Sequence, residues 1–384
     1  MRTLLLFISI GLIAMGCLES YSPPKSNNDI NYLAISANLD ATNGIIQVSL
    51  SRALPLDHDA ESFPKINNAI ITLKGSDGSM IDVPSAGTDG VYTHTHLTID
   101  KSLEYALNIK TDGQEYESEY IKITQSPPIE NVSFERGLEG INIVLTTKDP
   151  TNQSRYYKWE FVETYIEQAP VYSRFYFNDS DTTVRARSID QLIHVCYDHT
   201  ISSKITIATT ERLVNDIVNR IPITTITKNS PKLQFGYSIL IKQRVLTKEA
   251  FTYYEKLKIS TESLGGLFDP QPSSVLGNFK NINNNNEPVL GYFSGGEEMS
   301  YRFFIHPSDL PNDLRPNIPT PYCPTDTLWI DEIKTFINKR REFVIADDLR
   351  TMDGEILAYT YVDLNCGDCR KKGGTTTRPD FWPN

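Results

Sequence analysis

Apolar and polar residues alternate through the first third of the chain, the period expected of half-buried β-strands. In GIIQVSLSR (44–52), Ile46, Val48 and Leu50 share one face. NNAIITLKGSDGSMIDVPS (67–85) holds two short apolar runs around Asp77-Gly78, a pair that suits the left-handed positions of a tight hairpin turn. DGVYTHTHL (89–97) places Val91, Thr93, Thr95 and Leu97 on one face, with Tyr92, His94 and His96 on the other. LEYALNIKTDGQEYESEYIKI (103–123) repeats the design: Tyr105, Leu107 and Ile109, an Asp112-Gly113 turn, then another strand. Strands at about 8–12-residue spacing predict an immunoglobulin-like β-sandwich over 31–125. SPPIENV (126–132) reads as the linker that ends it.

The remainder, 126–384, reads as a larger β-rich domain with a few α-helices, so the fold class is all-β. INIVLTTKDP (141–150), YYKWEFVETYI (156–166), SKITIATT (203–210) and QFGYSILIKQRVL (234–246) read as strands. RLVNDIVNRIP (212–222) spaces Leu213, Val214, Ile217 and Val218 as a helix that Pro222 stops. TKEAFTYYEKLKISTESLGG (247–266) predicts a helix capped by Thr247, striped by Ala250, Tyr253, Tyr254 and Leu257, and ended by Gly265-Gly266. TDTLWIDEIKTFINKRR (325–341) predicts another, with Trp329, Ile333, Phe336 and Ile337 on one side. NINNNNEP (281–288) is a polar loop.

The N-terminus breaks this pattern. In LLLFISIGLIAMGCLES (4–20) an apolar run from Leu4 to Met15 follows Arg2 and meets Gly16-Cys17. A run this short cannot cross a bilayer, which needs about 20 residues, and it has the parts of a secretory signal. Ala14-Met15-Gly16 before Cys17 is similar to a bacterial lipobox, so the expectation is a signal peptide over 1–16, lipidation at Cys17 and a flexible tether over 17–30. Each buried acyl methylene adds about 0.8 kcal/mol of membrane affinity, and several chains anchor firmly. Net charge is −11, or −12 once Arg2 leaves; an acidic chain lacks the basic footprint that nucleic acid requires.

Cys196, Cys323, Cys366 and Cys369 remain. An exported compartment favours disulfides, and four cysteines allow three pairings that sequence cannot rank. CGDC (366–369) is open to three uses: a redox dithiol, half a metal site or structural bridging. The following RKKGGTTTRPDFWPN reads as no helix, which argues against a redox pair and for structural disulfides. His94 and His96 have a spacing that can chelate on a strand, and HVCYDH (194–199) gathers two more histidines, yet neither carries a full ligand set. No nucleophile elbow, phosphate loop or zinc-protease helix occurs. No catalytic residue, metal or cofactor is therefore assigned.

Five blocks then stand in a recognisable order: YYKWEF, YSILIKQRVLTKEAFTYYEKLK, GGLFDPQPSSVLGNFKN, EPVLGYFSG and CGDCRKKGGTTTRPDFWPN. Together with the lipobox and the first β-domain, they resemble a family of Bacteroidota lipoproteins, domain of unknown function 4249. The resemblance implies an outer-membrane lipoprotein, often encoded beside a TonB-dependent-type β-barrel receptor. It supplies no catalytic mechanism, and only Glu19 stands close behind Cys17 where an acidic export cluster is usual.

Aromatic residues are the remaining candidates, with 20 tyrosines, 16 phenylalanines and 3 tryptophans to place. VETYIEQAPVYSRFYFND (162–179) interleaves Tyr165, Tyr172, Phe175, Tyr176 and Phe177 with polar residues, and DFWPN places Phe381 and Trp382 near the C-terminus. Rings bring large contact area at low rotamer cost, so Tyr172, Phe175, Tyr176, Phe381 and Trp382 are candidate ligand contacts, against the alternative that sandwich cores and strand faces use such rings for packing. The functional expectation is a non-catalytic binding or accessory module beside a receptor, its ligand unnamed. The alternatives are a hydrolase with two carboxylates converging from distant strands, or a purely structural envelope protein.

Overall fold

The computed structural model describes residues 31–53, 64–85, 87, 89–178, 183–262, 275–336 and 341–383. The leader, Cys17 and the 17–30 tether lie outside the described residues, as do Gly265, Gly266 and Ile337. The fold is mostly strand with a few helices, and among the described residues no helix is long and apolar enough to cross a membrane.

The first unit contains β1 (Leu33–Asp40), β2 (Ile45–Arg52), β3 (Ile70–Gly75), β4 (Met80–Asp82), β5 (Val91–His94), β6 (Glu104–Thr111), β7 (Gln114–Ser118) and β8 (Ile121–Lys122). One sheet runs β1-β2-β5 and the facing sheet β4-β3-β6-β7, with β8 on β6. This is the two-sheet, Greek-key order of an immunoglobulin-like sandwich. Ile46, Val48 and Leu50 are buried, as their alternation predicts. The β6–β7 turn uses Asp112 and Gly113, both at positive φ (51° and 73°), which matches the twist of the flanking strands. β5 stops at His94, and His96 adopts φ 62°, so the two histidines do not share a strand face.

The second unit uses β9 (Ile129–Arg136), β10 (Gly140–Asp149), β11 (Tyr156–Gln168), β14 (Val195–Ile201), β15 (Thr206–Thr209), β16 (Asp216–Thr227) and β17 (Tyr237–Val245). Between β11 and β14 lies a hairpin of β12 (Phe175–Asn178) and β13 (Thr183–Ala186). The sheet β16-β10-β9 faces the sheet β14-β11-β17 around Trp159, Tyr157, Ile239 and Ile241, all without exposed surface. Residues 212–222 are not a helix. Leu213 and Val214 are 52% and 91% exposed in a loop, and Asp216 opens the edge strand β16. Pro222 sits at a register shift of that edge, where a missing N–H costs no ladder bond.

The chain then returns to the first sandwich. After helix α1 (Lys248–Glu262), β18 (Phe279–Asn281) adds to β7 and β19 (Leu290–Gly296) pairs in parallel with β1. Phe279, Val289 and Phe293 complete the first core, so the sandwich assigned to 31–125 receives strands from far downstream. Gly291 (φ +124°) permits this approach: a Cβ there would lie 1.8 Å from the Ile35 carbonyl oxygen. β20 (Glu298–Ile305) then extends the second sandwich beside β17.

A C-terminal sheet, β21-β23-β22, is formed by β21 (Asp326–Trp329), β22 (Phe343–Arg350) and β23 (Ile356–Asp363). The helix predicted over 325–341 is shorter than its periodicity implied. Asp326–Trp329 pair with β23, and only Ile333–Phe336, here α2, are α-helical among the described residues. Strand pairing outweighs helical spacing in that short apolar run.

Candidate functional site

The first two sandwiches meet along residues 123–128, where the seam leaves a cleft of about 670 Å³. One wall is that connection, another is the loop 149–156, and the third is the end of β17 with the start of α1. Thr124 Oγ1 donates to the Val245 carbonyl at 2.6 Å and Ser126 Oγ to the Glu297 carbonyl at 2.7 Å. Behind them the buried Gln243 donates to the Pro127 carbonyl at 2.7 Å and accepts from Trp159 Nε1 at 2.9 Å. The predicted linker is thus hydrogen-bonded into the second core, and the cleft is pre-formed.

Its charged groups are already committed. Asp149 ends β10 and folds the next loop onto itself, accepting from Thr151 N and Oγ1, Gln153 N and Ser154 N at 2.7–3.0 Å. Burial pushes its pKa up, but these donors outweigh burial and hold the carboxyl far below its usual range. Arg155 donates to the Thr210 and Leu213 carbonyls, each at 3.2 Å. Lys248 pairs with Glu211 at 2.8 Å, and Glu297 pairs with Lys101. Tyr156 packs its ring on Phe251 at 5.2 Å. The amides of Gln125 and Gln153 remain available on the exposed rim. Such a cleft can hydrogen-bond a polar ligand. Asp149 cannot serve it as a general acid, a role that needs a proton held near neutral pH.

An ion ladder lies beside the cleft on the outer face of β11, β17 and β20. Lys158 pairs with Glu160 at 2.8 Å, Glu160 with Arg244 at 3.7 Å, and Glu298 with Arg244 and with Lys242 at 3.0 Å. Lys158 Nζ also lies 4.2 Å from the Tyr254 ring centre, tying α1 down onto the ladder. Burial favours the neutral Lys158, yet the neighbouring Tyr254 phenol and the Glu160 carboxylate raise its pKa; burial likewise opposes Glu160 ionisation, and Lys158 and Arg244 lower its pKa. The signal was present in KWE and IKQR, alternating charges on paired strands, but only the register Lys158↔Arg244 and Arg244↔Glu298 brings them together.

The sequence-predicted residues fall in separate places. Phe175 packs edge-on against Tyr359 in the small C-terminal core, and Tyr176 lies under Arg187. Tyr172 is 43% exposed and tilts over His194. Burial lowers the His194 pKa. Phe381 is capped by the Arg302 guanidinium at 3.4 Å. Trp382 wedges between Tyr197 and Phe304 on the second sandwich, so the C-terminal DFWPN is docked there rather than displayed. None of these five residues lines the cleft.

The cysteines form two disulfides, Cys196–Cys369 and Cys323–Cys366. The members of CGDC therefore bond to different partners and not to each other. Contrary to the sequence reading, they ride on helical turns, α3 (Leu364–Gly367) and a 3₁₀ turn at Cys369–Lys372, capped by Asp363 and Asp368. Among the described residues no cluster of three His, Cys, Asp or Glu side chains has metal-binding geometry.

The family described as Domain of unknown function (DUF4249) matches residues 19–302, which covers both sandwiches and the cleft between them. The chain belongs to that family. No curated protein matches it. Among solved structures, a chain titled "Biofilm associated protein - BSP domain" is similar at 6% identity and a TM-score of 0.12. That alignment covers 75% of this chain and 61% of that one, and at such a score it carries no argument. In this DUF4249 chain the C-terminal sheet and the Cys323–Cys366 disulfide lie beyond the matched span, and Cys196–Cys369 bridges its end.

Proposed function

We propose that the chain is an outer-membrane lipoprotein, anchored through Cys17, that acts as a non-catalytic binding or accessory module. Its partner would be a TonB-dependent-type β-barrel receptor, in nutrient uptake or envelope function. The observation that carries the binding reading is the cleft between the sandwiches: polar, walled by hydrogen-bonded segments, and with each carboxylate already engaged. Junctions between domains are common places for ligand sites, and a pre-set cleft spares the cost of ordering on binding. The signal-like run at 1–16 and the cysteine at 17 support the anchored setting.

Purification of the native chain from membranes in mild detergent tests both parts. The expected result is an intact mass exceeding the polypeptide from Cys17 onward by an acylated glyceride, with repeated recovery of one β-barrel protein. A bare polypeptide mass, or a lipidated chain that recovers no barrel, overturns the anchor or the receptor partnership respectively.

A further inference from the structure

We propose that a second hollow, on the first sandwich, binds a neutral carbohydrate. It is about 520 Å³ and sits where β1 begins and β2 ends, whereas β1 ends beside Gly296, next to Glu297 of the cleft. Eight strand residues, about 26 Å, therefore separate the two sites. The inference rests neither on the anchor nor on the receptor.

The hollow is a built surface. Its rim is the Asn-rich segment after β18, and Asn281, 1% exposed, latches that segment. The Asn281 side-chain oxygen accepts from the backbone N–H groups of Asn283 and Asn284 at 2.8 and 3.0 Å. Its amide donates to Glu287 Oε2 at 2.6 Å and to Gln114 Oε1 at 3.2 Å. Glu115 N–H donates to Asn283 Oδ1 at 2.7 Å, and Asn286 N–H to Asn284 Oδ1 at 3.2 Å. Internal bonds thus engage one lone pair on each of the oxygens of Gln114, Asn283 and Asn284. Among the described residues, no hydrogen bond uses their three NH₂ groups, and all three residues line the hollow. Each NH₂ carries two donor hydrogens.

Charge narrows the ligand class. Arg52 is ion-paired with Asp112, and Glu287 is held by Tyr116 Oη at 3.0 Å and by Asn281. The three charges leave one net negative charge, which disfavours an anion, and both Glu287 oxygens are engaged, which weakens the case for a cation. Amide donors around a hollow with a half-buried ring, Tyr32, suit a ligand with many acceptor oxygens and an apolar C–H face. A sugar has both.

The test is calorimetric titration of the full-length chain in mild detergent. The probes are short neutral glucans, mannans and N-acetylglucosamine oligomers, with uronate oligomers and inorganic phosphate as charged counterparts. Saturable binding of at least one neutral oligosaccharide is expected. The double variant Gln114→Ala/Asn284→Ala should weaken it about tenfold, as loss of two hydrogen bonds implies, while the unfolding midpoint falls only by what the two internal bonds these side chains accept contribute. Gln153→Ala, in the cleft, should leave it unchanged. Absence of saturable binding across the neutral panel, tighter binding of uronate or phosphate, or full affinity in the double variant overturns the proposal.

Discussion

The first sandwich and the C-terminal sheet both depend on residues distant in sequence, but they hold them differently. The first recruits β18 and β19 by packing: Phe279, Val289 and Phe293 enter a continuous core that already contains Leu33, Leu39, Ile46, Leu107 and Tyr92. The C-terminal sheet has only small clusters, Leu328, Ile345 and Tyr359 on one side and Ile193, Val344 and Val362 on the other. It is tied covalently, to its own approach segment by Cys323–Cys366 and to β14 by Cys196–Cys369. Small cores bury too little apolar surface to offset chain entropy, and disulfides make up the shortfall by restricting the unfolded chain. Reduction should therefore loosen the C-terminal sheet and leave the first sandwich intact.

Four substitutions or conditions can break that contrast. The largest effect is expected from Phe293→Ala, which empties a side chain with no exposed surface and should cost about 3–5 kcal/mol. Hydrogen exchange should then rise across β1, β2 and β6 while the C-terminal sheet keeps its protection. Gly291→Ala tests the backbone seam: at φ +124° its new Cβ would lie 1.8 Å from the Ile35 carbonyl oxygen, so the two strands must part. Backbone strain and overpacking together should cost about 2–6 kcal/mol, and a rise confined to β1 and β19 exchange would localise it. Next, Cys323→Ser with Cys366→Ser should cost about 2–4 kcal/mol and expose β21–β23 to exchange, leaving the first sandwich unchanged. An equal rise in both regions would mean that they unfold as one unit and that the contrast is false.

Asp149 probes the junction between the sandwiches. Because its folded pKa is depressed, its contribution is complete above the unfolded carboxylate value, near pH 4, and is lost as pH falls below that toward the folded value. Asp149→Asn should cost about 1.5–3 kcal/mol at neutral pH and flatten the acid limb of stability measured by denaturant titration.

Much of the fold was legible where structure is local. Asp77-Gly78 and Asp112-Gly113 mark real hairpins, and Thr247 caps α1 through its Oγ1 to Ala250 N–H at 3.2 Å. Failures occurred where long-range pairing decides. Residues 216–227 became strand because β10 supplies a ladder, although Ile217 and Val218 are also compatible with helical spacing. Trp329 was drawn into β21 by Ala358. The site was less legible still. Gln125, Gln153 and Gln114 carry no motif, and their value lies in what neighbouring carbonyls and carboxylates leave unbonded. Asn-rich runs suggest loop because they seldom pack, yet Asn281 is buried for its hydrogen bonds and not for hydrophobicity.

The parallel partnership of β1 with β19 also sets a timetable. A nascent chain offers Leu33–Asp40 to its surroundings long before Leu290–Gly296 exists. At ~5–20 residues per second, synthesis of the intervening stretch lasts about 10–50 s. For that interval the strand presents bare N–H and C=O groups, a template for pairing with any neighbouring chain. Until the latecomer arrives, that margin is where the half-made sandwich is open to mispairing.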